Sequence, residues 1–331
     1  MRRREFIKVI AGSAATAWPL SVSAQQPDRM RRVGVLLGTT EKDTETNARL
    51  KAFRLSMRDL GWISGRNVQI EYRFAGSDTN AIEKYVTELI GLAPDVIVAN
   101  STPVVAAIKP ATTTIPIVFV IVNNPVGQGF VSNLTRPGAN VTGFSFIEPE
   151  LVGKWINLLQ GAKPDLSRVT LMFNPNSAPY YDGYVSAFKA LPQQAPVELK
   201  KAHVRSIAEI DTVVAQVAGE PGSALIAAGD PFILNTRGAI LEAAARNKVP
   251  LISPYRFFAI EGSLMSYGPD TADIFRRSAS YVDRILKGES PGNLPIQAPD
   301  KYELVINLKT AKALRLSVSE SFVELADEVI E

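Results

Sequence analysis

An unbroken apolar run, Ile117-Val118-Phe119-Val120-Ile121-Val122, ends abruptly at Asn123-Asn124-Pro125, and no other stretch limits the possible architectures as much. Six apolar residues in a row, five of them β-branched, leave no face for water. The run therefore predicts a strand covered on both sides inside a mostly parallel sheet. Its polar stop falls at the carboxyl edge, where open α/β sheets bind ligands. After the turn-forming Arg136-Pro137-Gly138, Val141 to Phe146 predicts a second, alternating strand. We read it as the first crossing between two lobes, because the pattern before it repeats in outline after it.

The first half alternates strand and helix. Arg32 to Gly38 predicts a short buried strand, and Leu50, Phe53, Met57 and Leu60 share one face of a helix stopped by Gly61. Val68, Ile70, Tyr72 and Phe74 alternate with polar residues, as in a strand near an edge. A helix over 79–91 leads to the strand Val96 to Ala99. The second half restarts the pattern: a helix over 149–161, a strand over 168–173, a helix to Ala190, a weaker strand over 197–204, and a helix over 207–218. A strand over 224–228, a helix over 234–247 and a strand over 249–253 follow. Ser263 to Gly268 predicts a return strand, and the helix over 271–287 is placed back on the first lobe. The Pro-rich loop 288–300 predicts a third crossing, and the strand over 303–308 rejoins the second lobe. The expected fold class is α/β, with two doubly wound parallel-sheet lobes joined by a multi-strand hinge. The expected lobes are residues 30–143 with 268–290, and 144–267 with 300–331.

Residues 1–24 stand apart. Paired arginines in Arg3-Arg4-Glu5-Phe6-Ile7-Lys8, a short apolar stretch to Leu20 and the small-residue ending Val22-Ser23-Ala24 predict a twin-arginine export signal. The segment holds four basic residues and one acidic one, so the rest of the chain carries 32 of each sign, against 36 and 33 in the whole. The basic balance belongs to the signal, and no nucleic-acid partner is expected. With no cysteine, the chain has no thiolate chemistry and no lipid anchor on an N-terminal cysteine. A single histidine, His203, leaves too few parts for a Ser-His-Asp or His-zinc site. No catalytic residue, cofactor or metal is expected.

Polar residues gather at the expected strand ends. From the first lobe come Thr39, Thr40, Asn100, Ser101, Thr102, Asn123 and Asn124; from the second come Asn174, Asn176, Ser177, Tyr180, Asp230 and Tyr255. A binder that closes on a dissolved molecule needs such donors and acceptors, because the molecule loses its water. Ordinary roles remain open. Ser101 or Thr102 caps a helix that begins near Pro103, Asn174-Pro175-Asn176 forms a turn, and Asp230 caps the helix after Pro231. Tyr180 and Phe144 either stack on a ligand ring or belong to the core.

Several stretches together resemble the bacterial ABC-transporter substrate-binding family that includes tryptophan- and tyrosine-transport proteins. They are Ile115-Pro116-Ile117-Val118-Phe119, Asn124-Pro125-Val126-Gly127, Gly129-Phe130-Val131, Leu134 to Gly143, and Glu303 to Lys312. The resemblance implies the type I periplasmic binding protein fold and a place in the periplasm, and a monomer is expected. That protein captures a small solute, aromatic amino-acid-like or amide-bearing, and delivers it to an ABC permease without altering it. Members commonly carry Asp-Pro-Val where this chain has Asn124-Pro125-Val126, which leaves Asp230 as the carboxylate to face an ammonium. The competing readings are an exported α/β hydrolase and a ligand sensor for a membrane receptor.

Overall fold

The computed structural model describes residues 29–190 and 197–331. The export signal expected over 1–24 lies outside the described residues.

Two sheets form, each with helices on both faces. The first is built from β1 (Arg31–Leu37), α1 (Thr44–Asp59), β2 (Val68–Phe74), α2 (Thr79–Gly91), β3 (Val96–Asn100), α3 (Thr102–Ala111), β4 (Ile117–Val122) and β5 (Val141–Ser145). Its order is β2-β1-β3-β4-β5, all parallel. β4 is buried at all six positions, as its composition requires. β2, whose sequence alternates, is an edge strand.

The chain then crosses into α4 (Leu151–Ala162), β6 (Arg168–Phe173), α5 (Tyr181–Ala190), β7 (Glu198–His203), α6 (Ile207–Ala218) and β8 (Ser223–Ala227). After these come α7 (Pro231–Asn235), α8 (Arg237–Asn247), β9 (Leu251–Ser253), α9 (Arg256–Glu261) and β10 (Met265–Pro269). α10 (Thr271–Leu286) returns to the first sheet and packs along α1, where the Trp62 indole donates to Asp283 Oδ1 at 2.9 Å. A 3-10 turn over Pro291–Asn293 leads to β11 (Tyr302–Asn307), α11 (Leu308–Ala313), α12 (Glu320–Val323) and β12 (Glu328–Ile330). The second sheet has the order β12-β11-β10-β9-β8-β6-β7. Within it β11 runs antiparallel to β10, because it enters from the crossing rather than from a covering helix.

Three differences from the sequence reading have local causes. The helix expected over 234–247 is two helices: Asp230 and Pro231 start α7 early, and α8 begins anew after Thr236, whose hydroxyl bonds back to the Phe232 carbonyl at 2.8 Å. α9 lies where only a strand exit was expected, its six residues too short to show a helical period. β5 alternates in sequence yet is buried throughout, because residues 294–297 cover its edge. Thr142 Oγ1 donates to the Leu294 carbonyl at 2.7 Å, and Ser145 N donates to the Gln297 carbonyl at 2.9 Å.

In both sheets the order reverses at one point, between β1 and β3 and between β6 and β8. The carboxyl ends of those strands are where an open sheet leaves a crevice. Here the two crevices face each other. Among the described residues, no helix is long and apolar enough to cross a membrane.

Candidate functional site

The facing strand ends enclose a cavity lined from the first lobe by Thr39, Arg49, Asn100, Ser101, Thr102, Ile121 and Asn123. Tyr180, Gly229, Pro231, Leu234 and Tyr255 line it from the second. The lobes are drawn close, and the cavity volume is about 10 Å³, roughly the room one water molecule needs. A larger solute therefore enters only when the lobes part. A bigger hollow, about 340 Å³, lies on the outer face of the first lobe beside Leu55, Trp62 and Ile63. It involves no strand end.

Seven of the thirteen residues singled out from the sequence meet at this cavity: Thr39, Asn100, Ser101, Thr102, Asn123, Tyr180 and Tyr255. Asn123 joins the lobes. Its Nδ2 donates to Tyr180 Oη at 2.9 Å and to the Gly229 carbonyl at 3.2 Å, while its Oδ1 accepts from Ile147 N at 3.1 Å. Tyr180 also packs its ring on Tyr181, with centroids 4.9 Å apart, and burial pushes its hydroxyl pKa well up. It closes the cavity as a wall.

The other six do not line it. Asn124 sits in a left-handed conformation (φ 44°) and its Oδ1 accepts from Gly127 N at 3.0 Å, so it shapes the turn. Thr40 is exposed beyond the strand end. Asn174 closes its own turn, its Oδ1 accepting from Asn176 N at 2.8 Å. Asp230 is fully buried, and Ile233 N, Asn174 N and Ser177 Oγ donate to it at 3.0, 3.1 and 3.2 Å. It caps α7 and pins the 174–177 turn. Burial outweighs those three donors and raises its carboxyl pKa from 3.8 to about 6. Phe144 is also core, tilted against Tyr281 at 4.9 Å and away from the cavity.

The sequence reading missed Arg49. It lies on the buried stripe of α1 with Thr46, Leu50, Phe53 and Met57, and only 2 % of it is exposed. An arginine four residues before Phe53 in an apolar stripe is a visible signal that a count of apolar positions passes over. Its Nε donates to Thr271 Oγ1 at 2.9 Å, and its guanidinium lies 5.7 Å from the Tyr255 ring and 5.9 Å from that of Phe257. Nη2 is buried and has no hydrogen-bond partner among the described residues.

Two backbone conformations at the rim are costly. Ser101 has φ 89° and ψ 153°, a region nearly confined to glycine, and Ile121 has φ 57°. Neither Ser101 nor Thr102 caps α3. The Ser101 hydroxyl makes no cap bond and is itself buried and unpartnered, while Thr102 Oγ1 accepts from Asn123 N at 3.2 Å.

The family model for ABC transporter substrate binding proteins matches residues 40–330. A curated tyrosine-binding protein of Clostridioides difficile (strain R20291) is 25% identical over 264 residues, covering 80% of this chain and 75% of that protein. Among solved structures, a conserved domain protein from Vibrio cholerae O1 biovar El Tor superposes with a TM-score of 0.84 at 26% identity, over 91% of this chain and all (100%) of that one. The ABC domain from Streptococcus pneumoniae in complex with L-Trp gives 0.83 at 22% identity over the same 91% and 100%.

Proposed function

The chain belongs to the ABC transporter substrate-binding protein family, and from that premise we propose that it is the periplasmic capture component of an importer. It closes on a small solute with a polar head and an apolar or aromatic body, and hands it unchanged to an inner-membrane permease. Members of this family bind rather than transform their solutes, so the hydrolase reading is set aside.

The observation that carries the proposal is the cavity itself. It lies between two switch points, its walls come from both lobes, and it is too tight to fill without lobe motion. The moving units are residues 30–143 with 268–290 and residues 144–267 with 300–331, hinged where the chain crosses. Export through the twin-arginine route brings the protein to the periplasm, where it works as a monomer. An aromatic body suits the walls offered by Tyr180 and Tyr255, and the tyrosine-binding relative points the same way.

The test is recovery of the solute. Mass spectrometry of small molecules released from protein purified from the native periplasm, with a thermal-shift panel, is expected to yield a compound that raises the melting temperature by mass action. A protein that carries no small molecule and responds to none would refute the capture role.

A further inference from the structure

Taking the capture role as given, we propose that the solute is a carboxylate, read by Arg49, the Ser101 hydroxyl and the N-terminus of α3, and that the site does not require an ammonium group beside it. Arg49 carries the argument. A guanidinium stays charged in proteins, and burying it without an anion is expensive. Yet Nη2 points at no acceptor among the described residues. Of the nearby carboxylates, Asp43 pairs with Arg237, and Glu45, one turn earlier on α1, is partly exposed and makes no hydrogen bond to Arg49.

The remaining donors belong to the same cavity. The Ser101 hydroxyl lines the same cavity, buried and unpartnered. It stands at the start of α3, whose first amides have no helical partner and receive no side-chain cap. An anion at that end gains from the free amides and from the helix dipole. A carboxylate, with two oxygens and no proton to place, accepts from all three donors at once.

The opposite wall lacks the complementary half. Among the described residues, no aspartate or glutamate lines the cavity, and Asp230 turns its oxygens to three donors of its own lobe. An ammonium enclosed there would lose its water with no charge to meet it. The chemistry therefore favours a plain carboxylic acid over the amino acid of the same skeleton.

Calorimetry and thermal shift on the mature protein decide this with matched sets: propionate, alanine, ethylamine and propionamide, and 3-phenylpropionate, phenylalanine, phenethylamine and 3-phenylpropionamide. The acid of at least one set is expected to bind about tenfold or more tightly than its amino acid, with amine and amide silent. Arg49→Met is expected to abolish that binding, Arg49→Lys to restore part of it, and Glu45→Gln to leave it unchanged or tighter. Circular dichroism of each variant separates lost folding from lost binding, and the matched ligands on the unmutated protein decide alone if the variants do not fold. Tighter binding of the amino acid, equal binding of the amide, or no response to either acid at millimolar concentration overturns the proposal. The capture role survives that outcome if a solute other than a carboxylate is recovered from the protein, and falls only if none is.

Discussion

Arg237 on α8 of the second lobe places Nη1 2.7 Å from Asp43 Oδ1, at the N-terminus of α1 in the first lobe. The bond is a latch between the two lobes. Each partner is also tied to its own lobe, Asp43 as the cap of α1 through Thr46 N and Arg237 through Glu261 at 3.0 Å. Closure thus joins two groups already held in place, which lowers the entropy lost. A second contact supports it, Asn235 Nδ2 donating to the Gly38 carbonyl at 3.2 Å.

Cutting the latch is expected to shift the lobes toward separation. Arg237→Ala removes the bond, while Asp43→Asn weakens it and keeps a good helix cap. A charge-assisted hydrogen bond of roughly 1.5–3 kcal/mol lost from the closed state alone weakens solute binding about tenfold or more. Scattering from the free protein is expected to show a larger radius of gyration for both. A double-mutant cycle without coupling would show that the pair does not hold the lobes. Burial pushes the Asp43 carboxyl pKa up, but the Thr46 hydroxyl and amide and the Arg237 charge outweigh it and hold it below its ordinary 3.8. A depressed carboxyl stabilises above its unfolded value, so the latch persists at neutral and mildly acid pH and is lost only as pH falls below that value.

Asn124→Asp is expected to change little. The residue occupies the position where the family resemblance implies an acid, yet its side chain serves the turn amide at Gly127 and does not line the cavity. Aspartate keeps that acceptor and tolerates the same left-handed backbone. Calorimetry is expected to give affinities within about twofold of the parent. A large gain for amino acids would mean that the loop turns this side chain inward on binding.

How far the site was legible in the sequence follows from which residues are read by pattern and which by contact. β4 and the strand exits at Thr39, Asn100 and Asn123 declare themselves, because a two-sided strand must be apolar to its end and polar beyond it. Arg49 did not, since a count of apolar positions passes over a charged residue on the stripe and helix surfaces commonly carry arginine. Asp230 was read as one of two things, ammonium partner or cap, and only its three donors decide between them. The helix expected over 234–247 hid its break because Thr236 disturbs no periodicity.

The buried Asp230 gives a pH signature of opposite sign to that of Asp43. Its folded pKa is raised from 3.8 to about 6, so the folded chain holds a proton that the unfolded chain releases between those values. The stabilisation present below the unfolded pKa is lost as pH rises through about 6. About two pKa units correspond to on the order of 3 kcal/mol. Urea denaturation of the parent and of Asp230→Asn is expected to show the parent losing ground to the variant by that order between pH 4 and pH 7. A constant difference across the window would mean that Asp230 is ionised throughout.

Ser101 holds two costs in one residue, a backbone conformation suited to glycine and a buried hydroxyl without a partner. Strain in that region is worth about 1–3 kcal/mol, and an unsatisfied buried hydroxyl about 1–3 kcal/mol. Two variants separate them. Ser101→Ala removes the hydroxyl and keeps the strain, whereas Ser101→Gly removes both and gives back about 0.4–1 kcal/mol through a more flexible unfolded chain. Both are expected to be at least as stable as the parent, with the glycine variant the more stable, and both to bind the carboxylate solute about tenfold less tightly. Such a trade, stability gained where affinity is lost, is what a residue strained for its ligand produces. Unchanged affinity in both variants would assign Ser101 to folding alone, and a glycine variant no more stable than the alanine one would show that the backbone at this strand end is not under strain.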